Sequence, residues 1–507
     1  MHPVAAVMLL WASLSPAVLG APPGAAPPGE ERWFEFTIRE VPCGFMSRST
    51  TLEDEVLTTR TLERLSVQRA GVPIRTTTTT RFQETTDGRP LRVELTRERG
   101  GGDARHCVID FDDALITVTT DRSSGGERVQ RLPDPGDWLT PALADAHVRQ
   151  QVRAGAPRIE YRVLRTTGVP GTVQAVEMTR LADPGTGSTG ESTDPSSHWT
   201  VRRSGEALEF REWRDPSGRL LGSELVTGLG PIRTTHCSPE HILTHHPVPG
   251  PELMTEDSLL GVAPALVTDD SRTGTYQVHL VGSPGLLDRL PADAGAQRAR
   301  RIGEGAWEFE LDASRSSPDE AAASDPVFTE ASRILDSTDP LVVEFTRRSL
   351  DGTGPDRLTR AERLRVAVGR HIREKGLAST FDTASEVVRS RSGDCTEHAV
   401  LLAAALRADG TPSRVAVGLI NAAARNGSGQ RFQWHMWTQG LVDDRWHDLD
   451  PTRPRRFDAG HLLFAVDPLC DDCQPRPYEL LLGLVGRVRV EPLMIDGMPL
   501  SPDGAPR

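Results

Sequence analysis

The run Ser392-Gly393-Asp394-Cys395-Thr396-Glu397-His398-Ala399 is followed by Phe432-Gln433-Trp434-His435-Met436-Trp437-Thr438 and then by Asp448-Leu449-Asp450-Pro451-Thr452. Cysteine, histidine and aspartate in this order supply a nucleophile, a base and an orienting group. A thiol attacks a carbonyl as thiolate, so it needs a positive helix end or an imidazole beside it. The imidazole in turn needs a carboxylate to fix its tautomer.

Residues 394–408 are rich in helix formers, with apolar side chains at 399, 402, 403 and 406 on one helical face. Asp394 is the expected N-cap with Glu397 as its capping-box partner, and Gly410 then Pro412 end the helix. Cys395 therefore falls in the first turn, where the positive end of the helix dipole favours thiolate and can hold an oxyanion. The aromatic runs 432–438 and 445–450 flank Asp443-Asp444 and predict a β-hairpin. A turn centred there sets residue 437 opposite 450 and makes His435 the same-face neighbour of Asp450, with Asp448 one step further away. A one-residue slip would turn the whole set to the other face.

These residues resemble the transglutaminase-like superfamily, whose members share a papain-like core and include transglutaminases, peptide N-glycanases and many bacterial proteases. The resemblance lies in Gly393-Asp394-Cys395, the helix end and strand from Arg407 to Val415, His435 with Trp437, and Asp450-Pro451-Thr452, and spans roughly 335–470. It implies an α+β domain in which a helix bearing the cysteine packs on an antiparallel sheet bearing the histidine and the aspartate. It implies Cys395 as nucleophile, His435 as base and Asp450 as the third member, with no cofactor and no metal. Gln439 stands where bacterial relatives often carry an acid, and Thr411 where an aliphatic residue is usual. The second oxyanion donor, expected upstream of the cysteine, is marked by no residue.

Blander readings compete. A single cysteine on an apolar helix is most often inert core, and only the ordered His435 and Asp450 lift Cys395 above that. His398 is expected to be a packing or helix-surface residue, and His447 and Asp448 solvated strand positions. Cys395-x-x-His398 with Cys470-x-x-Cys473 has the ligand types of a structural zinc site; it would consume the nucleophile and needs two distant pairs to converge. The cluster His236, Cys237, His241, His245 and His246 lacks the order of a zinc peptidase and is expected to be an imidazole-rich loop.

The chain has 507 residues, 37% hydrophobic and 25% charged, the composition of a globular protein. A net charge of -13 gives nucleic-acid binding no electrostatic support. Lys375 is the only lysine, so the protein has little capacity to cross-link to itself. Residues 1–20 are expected to be a secretory signal cut before Ala21, although His2 is the only side chain of its first segment that can be positive. No other run approaches the length of a membrane span. The expectation is a secreted or periplasmic protein with no transmembrane segment after cleavage. Of the six cysteines, Cys470 and Cys473 could close a small disulfide loop while Cys395 stays free.

A Pro/Gly/Ala-rich linker follows at 21–31. Short strand-like runs at 33–38, 76–80, 91–95, 115–119 and 159–163, separated by turn residues, predict a large antiparallel β-rich domain over 32–250. Phe82-Gln83-Glu84 before Asp87-Gly88-Arg89, and Phe210-Arg211-Glu212 before Asp215 to Arg219, hint at a duplicated meander. A second β-rich segment and linker is expected at 251–325, the catalytic domain at 326–490 and a tail at 491–507. Within the catalytic part, a helix from Arg360 to Lys375 is expected with a Thr359/Glu362 capping box, and another over 382–388. The functional expectation is a thiol enzyme acting on protein or peptide amides through a thioester. Hydrolysis is preferred over amine transfer; the third possibility is a silent scaffold module.

Overall fold

The computed structural model describes residues 31–500 except 70–71, 100–103, 113–114, 122–126, 135, 167–170, 182–195, 205–208, 228–229, 246–249, 252–259, 263–266, 269, 281–286, 288–289, 375–381, 424–429 and 471–482. The expected signal and most of the linker lie outside the described residues. The chain divides at Leu253/Met254 into two compact units. Among the described residues no helix is long and apolar enough to cross a membrane.

In the unit ending at Leu253, eight strands from Glu31–Ile38 to Glu127–Pro133 pair antiparallel in sequence order, and six from Arg158–Leu164 to Gly230–Cys237 do the same. The two meanders join where Glu31–Ile38 pairs with Gly230–Cys237, giving a fourteen-stranded sheet. Alternation of buried and exposed residues, as in Glu31–Ile38, marks one face packed inward. The helix Pro141–Arg153, capped by Thr140, connects the meanders. The paired motifs form matching turns. Gly88 N donates to Thr85 O and Gly218 N to Asp215 O, with φ of 88° and 81° that favour glycine. A Cβ on Gly88 would strike Leu143, and one on Gly218 would strike Arg149, so both turns abut the same helix.

In the unit beginning at Met254, the helix Cys395–Ala408 is the centre: residues 396–407 are all buried. Burial extends all round the helix, beyond the face marked by 399, 402, 403 and 406. The helices Pro340–Ser349, Arg357–His371 and Ala384–Ser390 pack around it, as does the strand Gln430–Val442. That strand pairs with Ser413–Ala423 on one side and with Arg445–Leu449 through the hairpin on the other. Asp443 and Asp444 take φ of 50° and 56°, the left-handed pair that a tight two-residue hairpin turn requires. The helix expected at Arg360–Lys375 starts earlier, because Asp356 outcompetes Thr359 as N-cap and accepts from its amide. The later helix is capped by Thr383 and Glu386.

The segment expected at 251–325 packs within this unit, with the residues expected as the catalytic domain. Strands Thr273–Leu280, Gln297–Gly303 and Ala306–Asp312 form a sheet with Val488–Ile495, and Ser317–Pro318 pairs with Arg445–Leu449. The tail expected from 491 supplies most of one of these strands. The physical reason is a buried apolar cluster of Tyr276, Val278, Trp307 and Phe309 with Leu419, Phe432, Leu462, Phe464, Val488 and Val490. Neither half could bury those side chains alone.

Candidate active site

Cys395 is the first residue of its helix, and Asp394 and Glu397 form the expected capping box: Asp394 accepts from Thr396 N at 2.7 Å, and Glu397 Oε2 accepts from Asp394 N at 2.9 Å. Gly393 is required by close approach, since a Cβ there would lie 2.3 Å from Glu397 Cβ. Burial first, and then the charge of Asp394, hold the Glu397 carboxyl well above the usual range.

The hairpin pairs Thr438 with Leu449, so one step further places Trp437 opposite Asp450. His435 Nε2 donates to Asp450 Oδ2 at 2.9 Å, and the Cys395 thiol is hydrogen-bonded to His435. With Nε2 engaged, Nδ1 is the nitrogen left for sulfur. Burial raises the Cys395 thiol and Asp394 raises it further, while the hydrogen bond and charge of His435 lower it. Burial lowers His435, but the Asp450 carboxylate outweighs it and the imidazole ends above its ordinary value. Asp450, fully buried, ends well below the carboxylate range, since the charges and hydrogen bonds of His435 and His461 outweigh its burial.

Its other oxygen, Oδ1, takes Thr452 N at 2.8 Å and Thr452 Oγ1 at 2.7 Å. Arg365, buried on the helix Arg357–His371, donates to the carbonyls of Asp450 and Arg453 at 3.2 and 2.8 Å. Gly369 on that helix lets the loop come close: a Cβ would lie 2.4 Å from the Pro451 carbonyl oxygen.

Residues 344–451 match the model of the transglutaminase-like superfamily, a span that includes Cys395, His435 and Asp450. The C-terminal unit carries a transglutaminase-like core. No curated protein sequence matches the chain. Among solved structures, a candidate cysteine protease of Cytophaga hutchinsonii is similar at 11% identity and a TM-score of 0.27, over 44% of this chain and 84% of that one. A beta-barrel-like protein of a domain of unknown function from Brucella abortus is similar at 12% identity and 0.31, over 41% and 95%. The periplasmic domain of TgpA from Pseudomonas aeruginosa is similar at 13% identity and 0.22, over 38% and 94%.

Around the transglutaminase-like core the structure bears on several single-residue expectations. His398 takes the packing role of its two expected ones: it is buried, and its Nδ1 donates to the Asp394 carbonyl at 2.6 Å. Asp448 is not a solvated position. It accepts from Trp437 Nε1, Gln439 Nε2 and Ala296 N, all at 2.7 Å. His447 is half-buried, and burial lowers its imidazole. Gln439 also accepts from Arg414 Nε at 2.8 Å, and an acid in its place would face the Asp448 carboxylate. Trp437, so held, stacks on His435 with ring centroids 6.2 Å apart.

The zinc set fails because Cys470 is disulfide-bonded; Cys473 lies outside the described residues. Cys43, Cys107, Cys237 and Cys395 are not in disulfides. In the other cluster, His241 Nε2 meets Glu35 at 3.0 Å and His236 packs on Phe34, while His246 lies outside the described residues. Ligand-type atoms of His435, Asp450 and His461 lie within 4.8 Å of one another, but both imidazoles aim Nε2 at the same Asp450 oxygen, as donors to it.

Two buried residues escaped the sequence analysis, His461 and Arg365. His461 stands on the strand His461–Asp467, in register with Ile420. Three side chains secure this strand and the loop before it: Tyr276 OH donates to Ala459 O at 2.8 Å, Arg272 donates to Phe457 O at 2.9 Å, and Gln297 bonds both backbone groups of Leu463 at 2.8 Å. A helix-period pattern at Arg365 and the spacing Asp458-x-x-His461 were the only available signals.

Proposed function

We propose that the protein is a thiol acyl-transfer enzyme acting on carboxamide or peptide bonds of protein or peptide substrates, with Cys395 as nucleophile, His435 as base and Asp450 as orienting group. The observation that carries this is His435 bonded to Cys395 on one side and to Asp450 on the other, at the first turn of a buried helix. His435 takes the Cys395 proton and the thiolate attacks the carbonyl carbon, forming the C–S bond. The imidazolium then protonates the departing nitrogen as the C–N bond breaks, which leaves a thioester and releases ammonia or an amine. Water, deprotonated by His435, attacks the thioester and restores the thiol.

Hydrolysis is preferred over transfer to an amine, and casein with a primary-amine probe separates the two. Fragments absent in Cys395→Ala support hydrolysis; amine incorporation without fragments overturns that preference. Equal behaviour of Cys395→Ala and wild type in both assays would leave only the scaffold role.

Export to a secreted or periplasmic location accompanies this reading, supported by the apolar N-terminal run and by the disulfide at Cys470, which persists in an oxidising compartment. A mature protein beginning near Ala21 is expected by intact mass; retention of Met1 would sink export.

A further inference from the structure

We propose that His461 is a positioning residue, a buried imidazolium that with Asp458 holds the Asp450 carboxylate and sets the pH window in which Cys395 and His435 form their ion pair. This rests on the reading of Cys395 as nucleophile. The charge on His461 follows from its partners. Nε2 faces Asp450 Oδ2 at 3.1 Å, while Nδ1 faces Asp458 Oδ1 and the Asp458 carbonyl, both at 3.1 Å. All three are acceptors, so both ring nitrogens must carry hydrogen. The ring is 1% exposed and water does not reach it in place of these groups. Burial lowers the imidazole, yet the two carboxylates raise it to about 9.

The consequence is a row of alternating charges: Asp458, His461, Asp450, His435 and the Cys395 thiolate. Asp450 Oδ2 serves both imidazoles, at 2.9 and 3.1 Å. Its pull on His435 is therefore tempered by a fixed cation on its far side. Asp394 and His398 face the Cys395 end, and Asp448 acts on His461 by charge alone. Arg453 Nε lies 3.9 Å from Asp458 Oδ2, and Arg365 binds the Asp450 carbonyl. Trp437 and Phe457 wall His461, with ring centroids 5.4 and 4.1 Å away.

Removing the His461 cation raises the proton affinity of both Cys395 and His435, whereas removing the Asp458 charge lowers it. The test is the rate of Cys395 alkylation by iodoacetamide against pH, in full-length wild type, His461→Gln and Asp458→Asn, with the adduct mapped by mass spectrometry. Both limbs of the profile are expected to move alkaline in His461→Gln, by on the order of one unit, and not alkaline in Asp458→Asn. A His461→Gln profile superimposable on wild type overturns the proposal, whatever its thermal stability. If His461→Gln does not fold, an alkaline shift in Asp458→Asn overturns it instead. Stoichiometric zinc in the purified wild type, with limbs that move on chelation, would also overturn it. A wild type that shows no acceleration over a model thiol would instead remove the nucleophile reading itself, an outcome distinct from the others.

Discussion

Two buried charge clusters, one in each unit, follow opposite rules. Around Asp450 each carboxylate oxygen is met by donors, from His435 and His461 on one side and Thr452 on the other, and the row ends in Asp458, whose Oδ1 also takes Gly460 N at 2.8 Å. In the unit ending at Leu253, Arg48 is 5% exposed, and among the described residues neither of its terminal nitrogens has a hydrogen-bond partner, nor does Glu84 Oε2. Burial drags the Arg48 guanidinium down to about 9, and burial likewise raises Glu84 above its ordinary range. Asp145 is raised too, by burial that its ion pair with Arg149 only partly offsets. Alternating charges joined by hydrogen bonds hold a base in one tautomer and one place. Buried charges left with unsatisfied polar atoms carry a desolvation cost.

The largest effect that can break this contrast is on turnover. Cys395→Ala is expected to lose about a millionfold in rate and Asp450→Asn about ten-thousandfold, both with the fold intact. Initial rates with circular dichroism check this, and a mild Asp450→Asn would mean the ordered row has no kinetic role.

Stability against pH should separate the units next. Asp450 is depressed in the folded state, so its contribution is complete above the ordinary value of 3.8 and is lost as pH falls through the folded value. The stability gap between wild type and Asp450→Asn is therefore widest near neutral pH and closes on acidification. Glu84 is raised in the folded state, so its contribution is present below the ordinary value of 4.5 and lost as pH rises through the folded value. Glu84→Gln should accordingly gain on wild type as pH rises, the opposite trend. Urea unfolding of each variant at several pH values reads both slopes, and parallel slopes would erase the distinction.

Asp448 sharpens the comparison at a smaller scale. It engages three donors but touches His435 only through Trp437. Asp448→Asn leaves one donor facing another and should cost about 1–3 kcal/mol of stability, with roughly tenfold in rate by letting the indole shift. A rate loss matching that of Asp450→Asn would place Asp448 in the catalytic machinery.

What the sequence disclosed followed the range of the forces involved. The Cys395 helix start was legible because a capping box acts over three residues, and the hairpin register because Asp443-Asp444 fixes it locally. Thr359 was mistaken for a cap because Asp356 offers the same chemistry one turn earlier, and only the geometry of the chain decides between them. Arg365 was illegible because helix packing brings it to a carbonyl 85 residues away, and His461 because only the folded loop turns Asp450 and Asp458 onto its two ring nitrogens. The packing of the segment at 251–325 was illegible for the same reason: its strands alternate like any others, and nothing local says that they complete the core under Phe464 and Leu462.

On the proposed reading, His435 oriented by Asp450 favours the Cys395 thiolate, whereas burial favours the protonated thiol at Cys43 and Cys237. Burial, with the Glu35 charge, raises Cys237 to about 11 and Cys43 further still. Iodoacetamide labelling of the native protein near neutral pH, with every cysteine mapped by mass spectrometry, tests it most directly. Cys395 should react first, faster than a model thiol, and His435→Ala should abolish that advantage. Labelling of Cys395 no faster than the model thiol, or unchanged in His435→Ala, would contradict it.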